Sequence, residues 1–166
     1  ICLPDFDSVG VAQLAELVRA HLAAVIASLA SEDDATRHLA AFMLRFSGDA
    51  RCVQPLLELL TDQRDRFDHD YCYSSLSSLE EVANEPLFEI AKDGSGGQCV
   101  QAVQAIGQSG PRGLPWLAKL AELGVVPPGF FSAVYNTHDP SALPMIEFGL
   151  THSDDERRSE ALFTAY

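Results

Sequence analysis

The chain has 166 residues, of which 47% are hydrophobic, so it is long enough to bury one hydrophobic core. Its 24 acidic residues outnumber 11 basic residues, which gives a formal net charge of −13. This negative charge repels nucleic-acid phosphates and anionic lipid, so we expect neither nucleic acid nor a membrane as a partner.

The cysteines and the chain ends bear on location and completeness. Four cysteines are scattered without a C-x-x-C pair or the density of a disulfide scaffold, so we expect free thiols and a cytoplasmic protein. The first residue is not Met, and Tyr166 ends the chain within a predicted helix. We therefore expect one domain over residues 1–166 that is a fragment of a longer protein.

The first predicted element is a helix from Asp7 or Ser8 to about Ala30, with apolar residues at helical spacing. Glu16 and Arg19 interrupt the apolar run, so the segment is not expected to span a membrane. It also lacks the basic start of a signal peptide. We interpret it as the first packing helix of the domain.

Residues 31–62 predict two helices joined by a tight reversal. Ser31 and Asp34 have the spacing of a capping box for the first helix, and Ser-Gly-Asp at 47–49 ends it. The second helix has Pro55 in its first turns, where a missing amide donor costs least. Each helix has a single apolar stripe, so the pair requires a neighbour on each side.

Later segments repeat this plan with variations. A longer turn at 63–71 precedes a predicted helix from about His69 to Ala83, and Asn84-Glu85-Pro86 predicts the start of a helix ending near Lys92. Gly94–Gly97 predicts a flexible turn rather than a phosphate loop, because no Gly-Lys-Ser/Thr sequence follows. Further helices are predicted over 99–106, 114–123, 131–135 and 143–150.

An internal repeat connects these elements. Asp33-Asp34-x-x-Arg37-x-x-Ala40 recurs as Asp154-Asp155-x-x-Arg158-x-x-Ala161, and Leu29 and Leu150 precede the two copies at the same offset. Between the copies, Ala102 and Ala133 take similar helical positions, which indicates a period near 31 residues. The second helices agree, because Pro55, Pro115 and Pro144 begin runs that end at Leu60, Leu120 and Leu150.

Over about residues 31–166 these motifs resemble the HEAT-like repeat, including the short variety of phycobilisome-lyase-like proteins. The resemblance implies an all-α fold, a right-handed α–α superhelix (solenoid) of about four to five HEAT-like helical hairpins. In such scaffolds the second helices line the inner face, which is the usual binding surface.

The search for catalytic and metal sites predicts none. Asp68-His69-Asp70 is a dense acid–imidazole cluster, but adjacent side chains diverge and no second cluster supplies further ligands. HEAT-like deoxyhypusine hydroxylases hold metal with His-Glu dipeptides, whereas here His38 precedes Leu39. Cys72 and His69 are spaced for a thiolate–imidazole pair, a weaker alternative. We expect no catalytic residue, no metal and no cofactor, and Cys52, Cys99 and Trp116 are predicted core residues.

What remains is an acidic surface. Carboxylates of the predicted second helices and of the longer turn are expected to bind a basic protein partner, with salt-sensitive association. The predicted partner-binding residues are Glu58, Asp62, Asp65, Asp68, Asp70, Glu89 and Asp93. A plain solvated face is the competing interpretation. Two other functions stay open: an enzyme or pigment chaperone similar to phycobilin lyases, which requires a deep apolar pocket, and a spacer within a larger solenoid.

Overall fold

A computed structural model describes residues 8–61, 66–79, 81–152 and 154–164, with side chains for all of these except 8, 9, 61, 66–70, 81, 160, 163 and 164. The described residues form eleven α-helices and three short 3-10 turns without a strand, which confirms the predicted all-α class. The helices are α1 Ser8–Ala20, α2 Leu22–Ser28, α3 Asp34–Leu44, α4 Val53–Thr61, α5 Arg66–Ser78, α6 Glu81–Lys92, α7 Gly96–Gln108, α8 Leu114–Glu122, α9 Phe130–Asn136, α10 Leu143–Leu150 and α11 Asp155–Thr164.

The helices alternate between two groups. We call α3, α5, α7, α9 and α11 the first helices, and α4, α6, α8 and α10 the second helices. Each first helix packs against the next first helix along the chain, and α4 packs against α6 as α6 does against α8. The two groups meet most extensively where α6 packs against α7 and α10 against α11. Packing therefore joins helices that are near to each other in the sequence.

The N-terminal segment differs from its prediction as one helix. Helices α1 and α2 meet at a bend of 82°. At the bend His21 has φ −114° and ψ 19°, outside the helical region, so the helix is interrupted there and α2 packs against α3. No single helix in the described ranges is long and apolar enough to cross a membrane, although the bent pair reaches that length and composition together.

The segment after α4 also differs from its prediction. The helix expected over 69–83 is divided between α5, which ends at Ser78, and α6, which begins at Glu81. Asn84, predicted as a cap, lies inside α6 and is fully buried, where its Oδ1 accepts a hydrogen bond from Ser109 Oγ at 3.3 Å. Helix α6 begins at Glu81, so Pro86 lies within the helix instead of in its first turn.

The two copies of the Asp-Asp-x-x-Arg motif have the same capping geometry. The carboxylates of Asp33 and Asp154 accept hydrogen bonds from the backbone N–H three residues later, at 2.9 and 3.1 Å. The cap of α3 is therefore Asp33 and not Ser31, because a carboxylate is the stronger acceptor at the positive end of a helix. Ser153, the predicted cap of the second copy, lies outside the described residues.

The arginines of the two copies make equal contacts but differ in burial. Arg37 and Arg158 each donate to the carbonyl six residues earlier, at 2.9 and 2.6 Å, and each pairs with the aspartate three residues earlier. Helix α3 is flanked by α2 and α5, whereas α11 packs against α9 and α10. The Arg37 side chain is consequently 2% exposed and the Arg158 side chain 40%.

A shared turn leads into the second helices. Short 3-10 turns precede three of them, at Ala50–Cys52, Gly110–Arg112 and Pro140–Ala142. Asp49 and Asp139 precede two of these turns. Each carboxylate accepts hydrogen bonds from the side chain and from the backbone N–H of the residue two positions later, and these bonds lower its pKa below the ordinary value. Gly48 and His138 precede these aspartates with φ 62° and 51°, so His138 adopts a backbone conformation that favours glycine.

Helices α7 and α9 approach each other closely at Gly107. A Cβ on Gly107 would lie 2.4 Å from the backbone oxygen of Ala133 and 2.7 Å from its Cα. Ala102 and Ala133, at matching positions of the predicted repeat, are both fully buried. Small residues therefore set the distance between neighbouring first helices.

Candidate partner-binding surface

Helices α4, α6 and α8 lie side by side, and each has one exposed face. Exposed and half-buried residues recur on α6 and α8 at intervals of three and four, as expected for one side of a helix. We call the polar and aromatic residues of these faces, with the residue directly after α6, the second-helix surface: Gln54, Glu58, Glu85, Phe88, Glu89, Lys92, Asp93, Trp116, Lys119 and Glu122.

Three of the seven predicted partner-binding acids have described side chains on this surface. Glu58, Glu89 and Asp93 are exposed, on α4, on α6 and directly after α6. Because α4 packs against α6, the surface brings together acids that are about thirty residues apart in the sequence. The other four side chains lie outside the described part of the chain: Asp62, Asp65, Asp68 and Asp70.

The acids of this surface have different partners. Gln54 Nε2 donates to Glu58 Oε1 at 3.1 Å, and Glu89 forms an ion pair with Lys92. Both contacts are exposed, so water screens them and each contributes little to stability. Glu85 and Glu122 are also exposed on the same faces, although they were not among the predicted acids.

An aromatic pair lies between α6 and α8. The ring centroids of Phe88 and Trp116 are 5.5 Å apart with an interplanar angle of 54°. Lys119 Nζ is 4.1 Å from the Trp116 centroid and Lys92 Nζ is 5.8 Å from the Phe88 centroid. Trp116 packs against the core, as predicted, but it is only half-buried, so part of the indole belongs to the surface.

Sequence analysis missed this pair. The signal in the sequence is an aromatic residue followed by lysine at helical spacing, Phe88 with Lys92 and Trp116 with Lys119. Such spacing allows an ammonium to cover the ring, but it does not reveal that the two rings meet. Contact between them depends on packing of α6 against α8.

The middle first helices carry no charge. The sequences of α7 and α9 contain no acidic or basic residue, and amide groups link them to their neighbours. Gln104 Nε2 donates to the carbonyl of Gly129 at 2.9 Å, and Tyr73 donates its hydroxyl hydrogen to Gln101. Burial raises the pKa of Tyr73 to about 12, which keeps its hydroxyl protonated at neutral pH. Charge on the central helices is thus concentrated on the second-helix surface.

A separate groove of about 450 Å³ lies between α9 and α10. Its lining is mainly apolar and includes Val134, Leu143 and Ile146. Three titratable side chains also line it: Tyr135, His138 and Asp139. The Asp139 carboxylate accepts hydrogen bonds from the N–H and the hydroxyl of Ser141, at 2.9 and 2.7 Å. Both bonds go to Oδ1, which caps the turn before α10.

The residues considered for catalysis have packing roles where they are described. Cys52 and Cys99 are buried, and burial raises the pKa of both thiols, so they are core residues as predicted. His38 stacks on Tyr71 of α5 with 5.2 Å between ring centroids. The described residues contain no group of three or more His, Cys, Asp or Glu placed to share a metal ion. The side chains of Asp68-His69-Asp70 lie outside them.

Comparison with known proteins assigns no relative, since no family model and no curated protein matches this chain. A function for the chain must therefore be argued from its own side chains and their contacts.

Proposed function

We propose that this chain is a non-catalytic protein-interaction module. It is an α-solenoid of HEAT-like helical hairpins whose second-helix surface binds a basic segment of a protein partner. The observation that carries the proposal is the concentration of acids on three adjacent second helices, while the first helices α7 and α9 carry no charge.

The order in which the helices pack supports the proposed solenoid. From α3 to α11 each first helix contacts the next, and α4, α6 and α8 follow the same succession in the other group. The motif at the start of α3 recurs at the start of α11 with the same caps and arginine contacts. Repeated units that bury their faces against sequence neighbours are the defining property of solenoids.

The negative charge of the second-helix surface supports a basic partner. The second-helix surface carries five acids and two lysines, on a chain with a net charge of −13. A negative field attracts a positively charged partner and speeds its association, and salt weakens both effects. The Debye length falls from ~14 Å to ~6 Å between ~0.05 M and ~0.3 M salt, so the affinity must fall across this range.

The test is a titration with a fluorescently labelled octapeptide of alternating glycine and arginine. For the variant with Glu58→Gln, Glu89→Gln and Asp93→Asn, we expect affinity to fall about tenfold at low salt, because each exposed charge pair contributes about 0.5 kcal/mol. Fluorescence anisotropy at two salt concentrations measures both the loss and its screening.

The matched control removes three acids elsewhere. Glu16→Gln, Glu32→Gln and Glu156→Gln change the net charge equally but lie on α1, before α3 and on α11. We expect this control variant to lose less than half as much binding free energy as the variant at Glu58, Glu89 and Asp93. Equal losses in both variants, or binding of the wild-type chain that is insensitive to salt, would contradict a defined site on the second helices.

A further inference from the structure

The Phe88–Trp116 pair has features that the acidic surface alone does not explain. Both side chains are half-buried at the junction of α6 and α8: one part of each packs against the core, and the other part is exposed. Each ring lies within 6 Å of a lysine ammonium, at 5.8 Å for Lys92 and 4.1 Å for Lys119. An ammonium within this distance of a ring centroid is attracted by the ring's electron density. The ring faces are therefore already cation sites.

The two lysines are held differently. Lys92 has a second contact, because its ammonium also pairs with Glu89. For Lys119, the described part of the chain shows the Trp116 ring as its contact and no ion pair with a carboxylate. Glu122 follows Lys119 by three residues on the same exposed face. An ammonium displaced from the ring can pair with that carboxylate, since residues at this spacing are neighbours on a helix.

We propose that Trp116 is the anchor of the partner-binding surface and takes an arginine side chain of the basic partner. This proposal rests on the function proposed above. The arginine guanidinium replaces the Lys119 ammonium over the indole ring, and Lys119 turns to Glu122. A guanidinium is planar and less strongly hydrated than an ammonium, so it stacks on an aromatic ring better than the lysine it replaces.

Charge complementarity supports an incoming cation despite the two lysines. Glu85 and Glu89 flank Phe88 on α6, and Glu122 lies beyond Trp116 on α8. The acids of the second-helix surface outnumber its lysines five to two, so a positive side chain at Trp116 still meets a negative field. Tryptophan is also one of the residue types enriched among the side chains that dominate binding energy at protein interfaces.

Trp116 offers a direct readout because it is the single tryptophan of the chain. Titration with the glycine–arginine octapeptide is expected to change the indole emission along the same saturation curve as the anisotropy. The matched glycine–lysine octapeptide, with equal charge, should bind more weakly by about threefold, and a glycine–glutamine octapeptide should leave the emission unchanged.

Two variants separate the anchor from general attraction. Trp116→Leu is expected to weaken binding of the arginine peptide by about tenfold. Lys119→Gln should strengthen it by about threefold, because the ring loses its internal competitor. Arg19→Gln on α1 removes one positive charge elsewhere and is expected to change affinity by much less. If Trp116→Leu does not fold, the emission of the wild-type protein and the Lys119→Gln variant decide the question.

The outcomes distinguish this inference from the proposed function. Salt-sensitive binding with unchanged indole emission, or equal effects of Lys119→Gln and Arg19→Gln, would overturn the anchor and leave the acidic surface standing. A failure of both charged peptides to bind would overturn the proposed function and the anchor with it. An emission change with the uncharged peptide would also overturn the anchor, because the site would then not select a cation.

Discussion

Replacing Gly107 by alanine is expected to lower the free energy of unfolding by about 3 kcal/mol or more. The added Cβ would lie 2.4 Å from the carbonyl oxygen of Ala133 and 2.7 Å from its Cα. Both are backbone atoms of α9, so relief requires α7 and α9 to separate and the core between them to open. Urea unfolding followed by circular dichroism measures the change.

Gly97 in the same helix supplies the control. It is exposed, and alanine is the better helix former, so Gly97→Ala should leave stability unchanged or raise it by up to about 1 kcal/mol. A Gly107→Ala protein as stable as the wild type would show that α7 and α9 do not approach as closely as described. The packing of neighbouring first helices would then be incorrect between α7 and α9.

Replacing Arg37 by methionine is expected to destabilise the protein by about 2 kcal/mol, the scale of hydrogen bonds made by a buried charged donor. Its side chain is 2% exposed, and its guanidinium donates to the carbonyl of Ser31 at 2.9 Å and pairs with Asp34. Methionine keeps most of the apolar stem but leaves that carbonyl without its donor. Thermal and urea unfolding measure the loss.

Arg158 provides a control of unusual quality, because it makes the same contacts in the second copy of the motif. Its side chain is 40% exposed, so water can replace the guanidinium, and Arg158→Met should cost less than about 1 kcal/mol. Equal losses of stability for the two variants would mean that burial does not determine how much each arginine stabilises the protein. That result would contradict the packing of α2 and α5 around α3.

Local signals predicted the all-α class and the recurrence of the Asp-Asp-x-x-Arg motif. The Asp-Asp-x-x-Arg spacing acts through contacts within one helix turn, so the two copies were visible in the sequence and share their geometry. The helix ends were less predictable. Asn84 has the residue type of a cap, yet tertiary packing buries it within α6, and the bend at His21 has neither proline nor glycine to indicate it.

The surface was predicted only in part for a related reason. Acids such as Glu58 and Glu89 are visible as charges in the sequence and are exposed in the structure. The Phe88–Trp116 contact joins residues of two helices that are distant in the sequence, and no pattern within either helix indicates which rings will meet. Aromatic residues at helical spacing predict burial, so the sequence did not indicate that part of Trp116 is exposed. That exposure became visible only from the packing of α6 against α8.

Mapping of amide resonances tests most directly whether the second helices bind a basic segment. In a titration of the isotope-labelled protein with the glycine–arginine octapeptide, we predict shifts concentrated in residues 53–61, 81–93 and 114–122. Residues 96–108 and 130–136 of the uncharged first helices should change little. Shifts concentrated in those first helices, or spread evenly over the chain, would contradict the account.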